Sequence, residues 1–188
     1  PFQNVLMAAG LIALLSGAVL CLGAASGVPF GPVQFSERLG GRLLDLLPWP
    51  LPWLWVVVLI NARGVARLIM RPWRRTGGYG FWVIGIAGLL AAAFDLTLEP
   101  FAVRVKGWWA WPAARTTWLW YSAPWVSFLG WFAVTVAILV FTTPWLINKQ
   151  PGTRPMDYHP LVVWTLLGLG LVVGNATQGA WSAVWTTL

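Results

Sequence analysis

Residues 94–131 read FDLTLEPFAVRVKGWWAWPAARTTWLWYSAPWVSFLGW. The stretch holds two of the chain's five acids, three of its twelve bases and seven of its sixteen tryptophans. It follows an apolar run that begins near Tyr79 and ends at Asp95 and Glu99. If that run is helical, the two carboxyls leave one face about one turn apart. An ionised carboxylate in hydrocarbon is costly, so acids at such a depth face protein or a water-filled cavity. Two readings follow. Either the acids do chemistry beside many indole faces, or they mark a helix end at a membrane surface with an aromatic belt.

The rest of the chain has the same character. Of 188 residues, 59% are hydrophobic and 9% charged. Soluble domains carry roughly 25% charge. The sequence therefore predicts an all-α integral membrane bundle forming one domain over residues 1–188. Five spans are expected, near Asn4–Ala25, Trp49–Met70, Tyr79–Leu98, Trp125–Trp145 and Leu161–Leu188. Each is long enough to cross a core of roughly 30 Å. The chain begins without Met, so a further upstream helix is compatible with the sequence. Leu39, Leu43, Leu44 and Leu47, with Glu37, Arg38 and Arg42 between them, predict a short interfacial helix over Ser36–Leu47, capped by Ser36. Phe30 and Phe35, and the cluster Trp49, Trp53 and Trp55, read as interfacial side chains. Pro100 is expected to stop the third span. Asn175 and Gln178 are expected to hydrogen-bond across helices.

Charge and composition exclude several function classes. The single cysteine, Cys21, rules out an internal disulfide, and the single histidine, His159, argues against a His-rich metal site or bis-His haem. Neither a metal nor a cofactor is expected. The net charge of +7 does not indicate nucleic acid, because the bases lie at the ends of apolar runs, where membrane lipids are the partners. Counting bases by side gives seven on the side of Arg71–Arg75, including Arg63, Arg67, Lys149 and Arg154. The other side has five: Arg38, Arg42, Arg104, Lys106 and Arg115. This bias places Arg71–Arg75 in the cytoplasm and Asp95, Glu99 and the tryptophans toward the outer half of the membrane.

Asp95, then Glu99-Pro100, then Trp109 and Trp111, then Tyr121 and Pro124, then Gly130-Trp131 form an ordered series. Upstream stands Gly27, Pro29, Phe30, Gly31 and Gly40 in SGVPFGPVQFSERLG. Together these resemble the carotenoid biosynthesis protein family, which includes bacterial and archaeal carotenoid hydratases. The resemblance covers Leu20 to Trp145, and its specificity lies in the order and spacing rather than in any one motif. The family pattern also has an acid two helical turns before the Gly-x-Pro-Phe-Gly segment, where this chain has Val19, Leu20 and Cys21. Its usual tyrosines appear as Val33 and Phe35, its Asn as Ser127, and a Gly as Ser122.

The resemblance implies addition of water to a terminal double bond of an acyclic carotenoid, with no cofactor. A carboxylic acid must give a proton to an alkene carbon, and burial favours the protonated form of such a group. Indole faces stabilise a nearby cation by about 0.5–2 kcal/mol each. On this reading Asp95 is the acid and Glu99 holds the attacking water, with Tyr121 and Ser127 as helpers. Trp108, Trp109, Trp111, Trp120, Trp131 and Phe30 are the candidate substrate-binding residues. The competing reading for Asp95 is a buried hydrogen bond to a Trp N–H or to Arg104. The competing reading for the chain is a non-catalytic carotenoid-binding or structural subunit of a larger membrane complex, and on either reading the protein is expected in the cytoplasmic or a photosynthetic membrane. A transporter is weaker still, since no internal repeat is visible.

Overall fold

A computed structural model of the chain describes residues 2–112, 118–147 and 156–186. Its long helices are α1 (Phe2–Ser26), α2 (Pro50–Ile69), α3 (Tyr79–Pro100), α4 (Trp125–Leu146) and α5 (His159–Thr177). All five are long and apolar enough to cross a membrane. The all-α membrane bundle read from the sequence is the fold observed. The ring α1–α2–α3–α4 closes through contact between α1 and α4, and α5 lies outside it against α2 and α3. Close approach at small residues sets this order. Gly88 of α3 lies under Phe132 and Val136 of α4, and Pro160 of α5 sits directly on Gly64 of α2.

Three predicted boundaries differ. The interfacial helix over Ser36–Leu47 does not form. In its place are a single 3-10 turn (Glu37–Leu39) and a hairpin of β2 (Arg42–Leu43) with β3 (Leu47–Pro48). The leucine spacing was compatible with a helix, but Gly40-Gly41 interrupts it, and Gly40 sits at φ 104° where a helix cannot continue. Ser36 does act as a cap, accepting the Arg38 N–H at 3.3 Å, though of the short turn only.

The second difference is at Pro100. The regular α-helix ends there as expected, but the coil continues through one wide turn, Phe101–Lys106, that ends at Gly107 with φ 58°. A proline in a helix leaves one carbonyl without its i+4 donor. Here that carbonyl belongs to Leu96, and the Trp120 indole N–H donates to it at 2.9 Å. A side chain from the next segment thus replaces the backbone bond that proline removes.

The third difference is at the chain's end. The fifth span stops at Thr177, not Leu188. Gly179, at φ 68°, turns the chain into the short helix α6 (Trp181–Trp185), which packs back on α5 and α3.

Aromatic residues fill the ring. Trp55 of α2 and Trp131 of α4 stack at 4.2 Å between centroids with an interplanar angle of 20°. Phe30 meets Trp55 edge-on at 5.9 Å. Phe30 reaches this place because Gly23 of α1 and Gly130 of α4 make room. A Cβ at Gly130 would lie 2.9 Å from the Phe30 ring, and one at Gly23 would lie 3.0 Å from it. The interfacial assignments of Phe30 and Trp55 are therefore corrected. Both are core residues, Trp55 being only 1% exposed, whereas Trp49 and Trp53 are half-exposed as expected of an interface.

Candidate functional site

The site is built at the end of the bundle where α1, α3 and α5 finish and α4 begins. Segments distant in sequence are joined there by short antiparallel pairs. β1 (Gln34–Phe35) pairs with β4 (Trp109–Ala110), Gln34 opposite Ala110 and Phe35 opposite Trp109. Ser36 reinforces the joint, its N–H donating to Trp108 O at 2.8 Å and its hydroxyl to Gly107 O at 2.6 Å. β5 (Leu119–Trp120) pairs with β6 (Ala123–Pro124) immediately before α4.

Under this cap lie the two acids. Asp95 is 0% exposed and Glu99 is 3% exposed, and they lie one turn apart within electrostatic reach of each other. Their surroundings differ. Glu99 Oε2 accepts two indole N–H groups, from Trp111 at 2.9 Å and Trp109 at 3.2 Å. The Trp-x-Trp spacing places both indoles on one oxygen and fixes the carboxyl. Asp95 has no hydrogen-bond partner on either oxygen. The two bonds weighed for it from the sequence are used elsewhere. The Trp109 and Trp111 indoles donate to Glu99 and the Trp120 indole to Leu96 O, and Arg104 lies over the Tyr121 ring at 4.4 Å.

An unpartnered polar group in a buried site costs about 1–3 kcal/mol, more if charged. Such a group calls for an explanation, such as a bound water or ion, local strain or a catalytic role. Asp95 thus differs from Glu99: its oxygens have no partner in the folded chain, as is also true of the nearby Asn175 Oδ1, while Glu99 is held in place.

The other candidates divide. Ser127 lies buried in the first turn of α4. From the contact of Gly88 with Phe132 and Val136, seven residues along each antiparallel helix bring Ser127 level with Asp95. Trp108 packs edge-on against Phe101 at 5.7 Å and beside Trp109. Trp120 is engaged with Leu96 through its N–H and packs near Trp125. Trp131 and Phe30 both pack on Trp55 in the core stack.

Tyr121 is placed elsewhere. Its hydroxyl donates to Ser182 Oγ at 3.2 Å and accepts the Ala183 N–H at 3.3 Å, both in α6. Its backbone is left-handed, φ 57°, at the β5–β6 turn. Tyr121 therefore holds α6 on the bundle, and the structure does not join its hydroxyl to the acid pair. Gln178 ends α5 as its cap, whereas Asn175 bridges helices as expected, donating to Thr97 O of α3 at 2.9 Å.

Sequence reasoning missed Trp55 as a core partner. The signal was present, since Trp55, Leu59, Ala62 and Ala66 share one face of α2 and all four are buried. Among the described residues, no group of three or more His, Cys, Asp or Glu could hold a metal ion.

Because both Glu99 donors are indoles, the first test concerns stability. Trp111→Phe should keep most of the packing and remove one hydrogen bond. The expected loss is about 1–3 kcal/mol, read from unfolding in mixed micelles. Trp109→Phe should behave alike, and an unchanged midpoint for both would contradict the assignment.

No solved structure matches the chain. Over 133 residues it is 27% identical to the bisanhydrobacterioruberin hydratase of Haloarcula japonica, covering 69% of this chain and 42% of the relative. The chain thus spans less than half the length of that curated relative. A family profile described as "Carotenoid biosynthesis protein" matches residues 2–188, which includes every segment that builds the cap and both acids. The chain belongs to the carotenoid biosynthesis protein family.

Proposed function

We propose that this protein adds water across a terminal double bond of an acyclic carotenoid by acid catalysis. The observation that carries the reading is Asp95, a fully buried carboxyl with no partner, one turn before a Glu99 fixed by two indoles. Family membership and the similarity to a carotenoid hydratase support the substrate class.

The step balances without a redox partner. Asp95 gives its proton to the less substituted alkene carbon, and the π electrons form the new C–H bond. The tertiary cation left behind is stabilised by the indole faces of the cap. A water held by Glu99 adds its oxygen to that carbon and loses a proton to Glu99. Proton return from Glu99 to Asp95 restores the pair, and the net change is alkene plus water giving a tertiary alcohol. Ser127, level with Asp95, is a candidate second contact for the water. No cofactor enters the scheme.

A second reading has its own observation. The Trp55–Trp131 stack and Phe30 fill the ring where a polyene would run, and Val19-Leu20-Cys21 lacks the acid of the family pattern. On that reading the chain binds a carotenoid without changing it, as a subunit of a larger membrane complex. Incubating an acyclic carotenoid with membranes carrying the protein, then extracting the pigment, separates the two. The hydratase reading expects a more polar product with the same chromophore. Recovery of bound but unaltered polyene supports the subunit reading.

Orientation follows from the basic residues, with Arg71–Arg75 cytoplasmic and the cap outside. A cysteine at Arg74 should resist an impermeant thiol reagent applied to intact cells, and efficient labelling would reverse the topology.

A further inference from the structure

At the end of the bundle opposite the acids, α2 carries Arg63 and Arg67 one turn apart, followed just beyond its end by Arg71, Arg74 and Arg75. Of the chain's five acids, Glu37, Asp45, Asp95 and Glu99 belong to the other end. The fifth, Asp157, is engaged by His159, whose ring nitrogen and backbone N–H lie 2.7 Å and 3.0 Å from its Oδ1. Five arginines therefore face one acid that already has a partner.

Arg63 is the residue this arrangement leaves unexplained. It lies eight residues inside Arg71, about 12 Å deeper along the helix. Arg67 and Arg71 are exposed and reach the membrane surface by extension. Arg63 is half-buried, its Nε is buried with no hydrogen-bond partner, and a second positive charge, Arg67, lies within electrostatic reach. The Tyr79 phenol at the start of α3 shares that field. Beside Arg63, Gly64 is closed over by Pro160 of α5. Residues of α2, α3 and α5 thus surround Arg63 with a second cation; among the described residues the nearest acid in that field is Asp157, which acts on the exposed Arg67 and is bonded to His159.

We infer that Arg63 and Arg67 form a binding site for the phosphate of a membrane lipid whose headgroup is net anionic, with no cation of its own to compete, seated against α2 between the starts of α3 and α5. A phosphodiester supplies what the site lacks. It carries negative charge, and its oxygens accept from planar guanidinium groups in the paired geometry arginine favours. Its acyl chains stay in the bilayer beside α5. The inference is independent of the hydratase reading, since it concerns the other end of the molecule.

The test is native mass spectrometry of the full chain in detergent, titrated with phosphatidylglycerol or phosphatidylcholine. Wild type should take up one phosphatidylglycerol with an affinity roughly 10-fold above that for phosphatidylcholine, and Arg63→Gln should lose roughly that factor. Arg63→Lys keeps the charge without the planar fork and should fall between them. Arg75→Gln should match wild type. If Arg63→Gln does not fold, Arg67→Gln, at an exposed position one turn away, should show the same loss. Inorganic phosphate is the second arm, and should displace the lipid only at far higher concentration. Displacement at equal concentration would identify a soluble phosphate ligand and overturn the lipid assignment. Equal affinity of wild type for the two lipids, or variants at Arg63 and Arg67 that both keep the preference, would overturn the site.

Discussion

Asp95→Asn should abolish hydration while leaving the protein as stable as wild type or more so. Placed proton donors contribute about 10²–10⁴-fold, and an amide of the same shape cannot supply an acidic proton. The stability half of the expectation comes from the absence of any partner on the Asp95 oxygens. Substitution there removes no hydrogen bond of the folded chain. Asp95→Leu makes the contrast sharper, because an apolar side chain replaces a buried group with unmet hydrogen-bonding capacity. It should unfold no earlier than wild type and be equally inactive. A destabilised Asp95→Leu with Asp95→Asn fully active would identify Asp95 as a structural tie. Glu99→Gln should differ from both. It should slow the reaction less if Glu99 only holds water, and it should weaken the cap, because Trp109 and Trp111 both depend on its Oε2.

Phe30→Ala should be the most destabilising single change in the core, by about 3–5 kcal/mol. Phe30 comes from a loop, yet it occupies space left by Gly23 of α1 and Gly130 of α4 and abuts Trp55 of α2. Its removal leaves a cavity that three helices border, and none of them can close it alone. Gly130→Val should fail for the opposite reason, since a side chain there meets both the Phe30 ring and Pro29 O, at 2.9 and 3.1 Å. Unfolding of both variants in mixed micelles, followed by tryptophan fluorescence, checks the pair. A Phe30→Ala midpoint within error of wild type would show that the loop is not part of the core.

How far the sequence could be read depends on the kind of signal each element gives. Long apolar runs bounded by Pro, Gly and charge predict spans directly, and α1 to α4 lie within two residues of their expected bounds, apart from the wide turn after Pro100. Where a helix was expected over Ser36–Leu47, the leucine period was outweighed by Gly40 and by left-handed backbone at Leu44 and Asp45. Backbone conformation at single residues is not visible in a hydrophobic pattern. The acids were legible as a pair because a charge in an apolar run is costly wherever it lies. Their unequal environments were not legible. Which acid receives the indole donors depends on the β1–β4 register and on Trp120 being occupied at Leu96, both of which are long-range. The partners of the Tyr121 hydroxyl were hidden for a similar reason. Its partner Ser182 is 61 residues away, beyond a break at Gly179 that the apolar run conceals. Arg115, Lys149 and Arg154, which entered the charge count, lie outside the described residues.

The central claim is that a proton from the protein and the elements of water are added to a terminal alkene of an acyclic carotenoid. The most direct measurement is conversion in deuterated water, with wild type and Asp95→Asn at matched protein levels and the extracted pigment read by mass spectrometry. Wild type should give an alcohol carrying one deuterium bound to carbon, next to the new hydroxyl-bearing centre, and Asp95→Asn should give none. Recovery of unaltered polyene from both, or equal deuteration by both, would contradict the account.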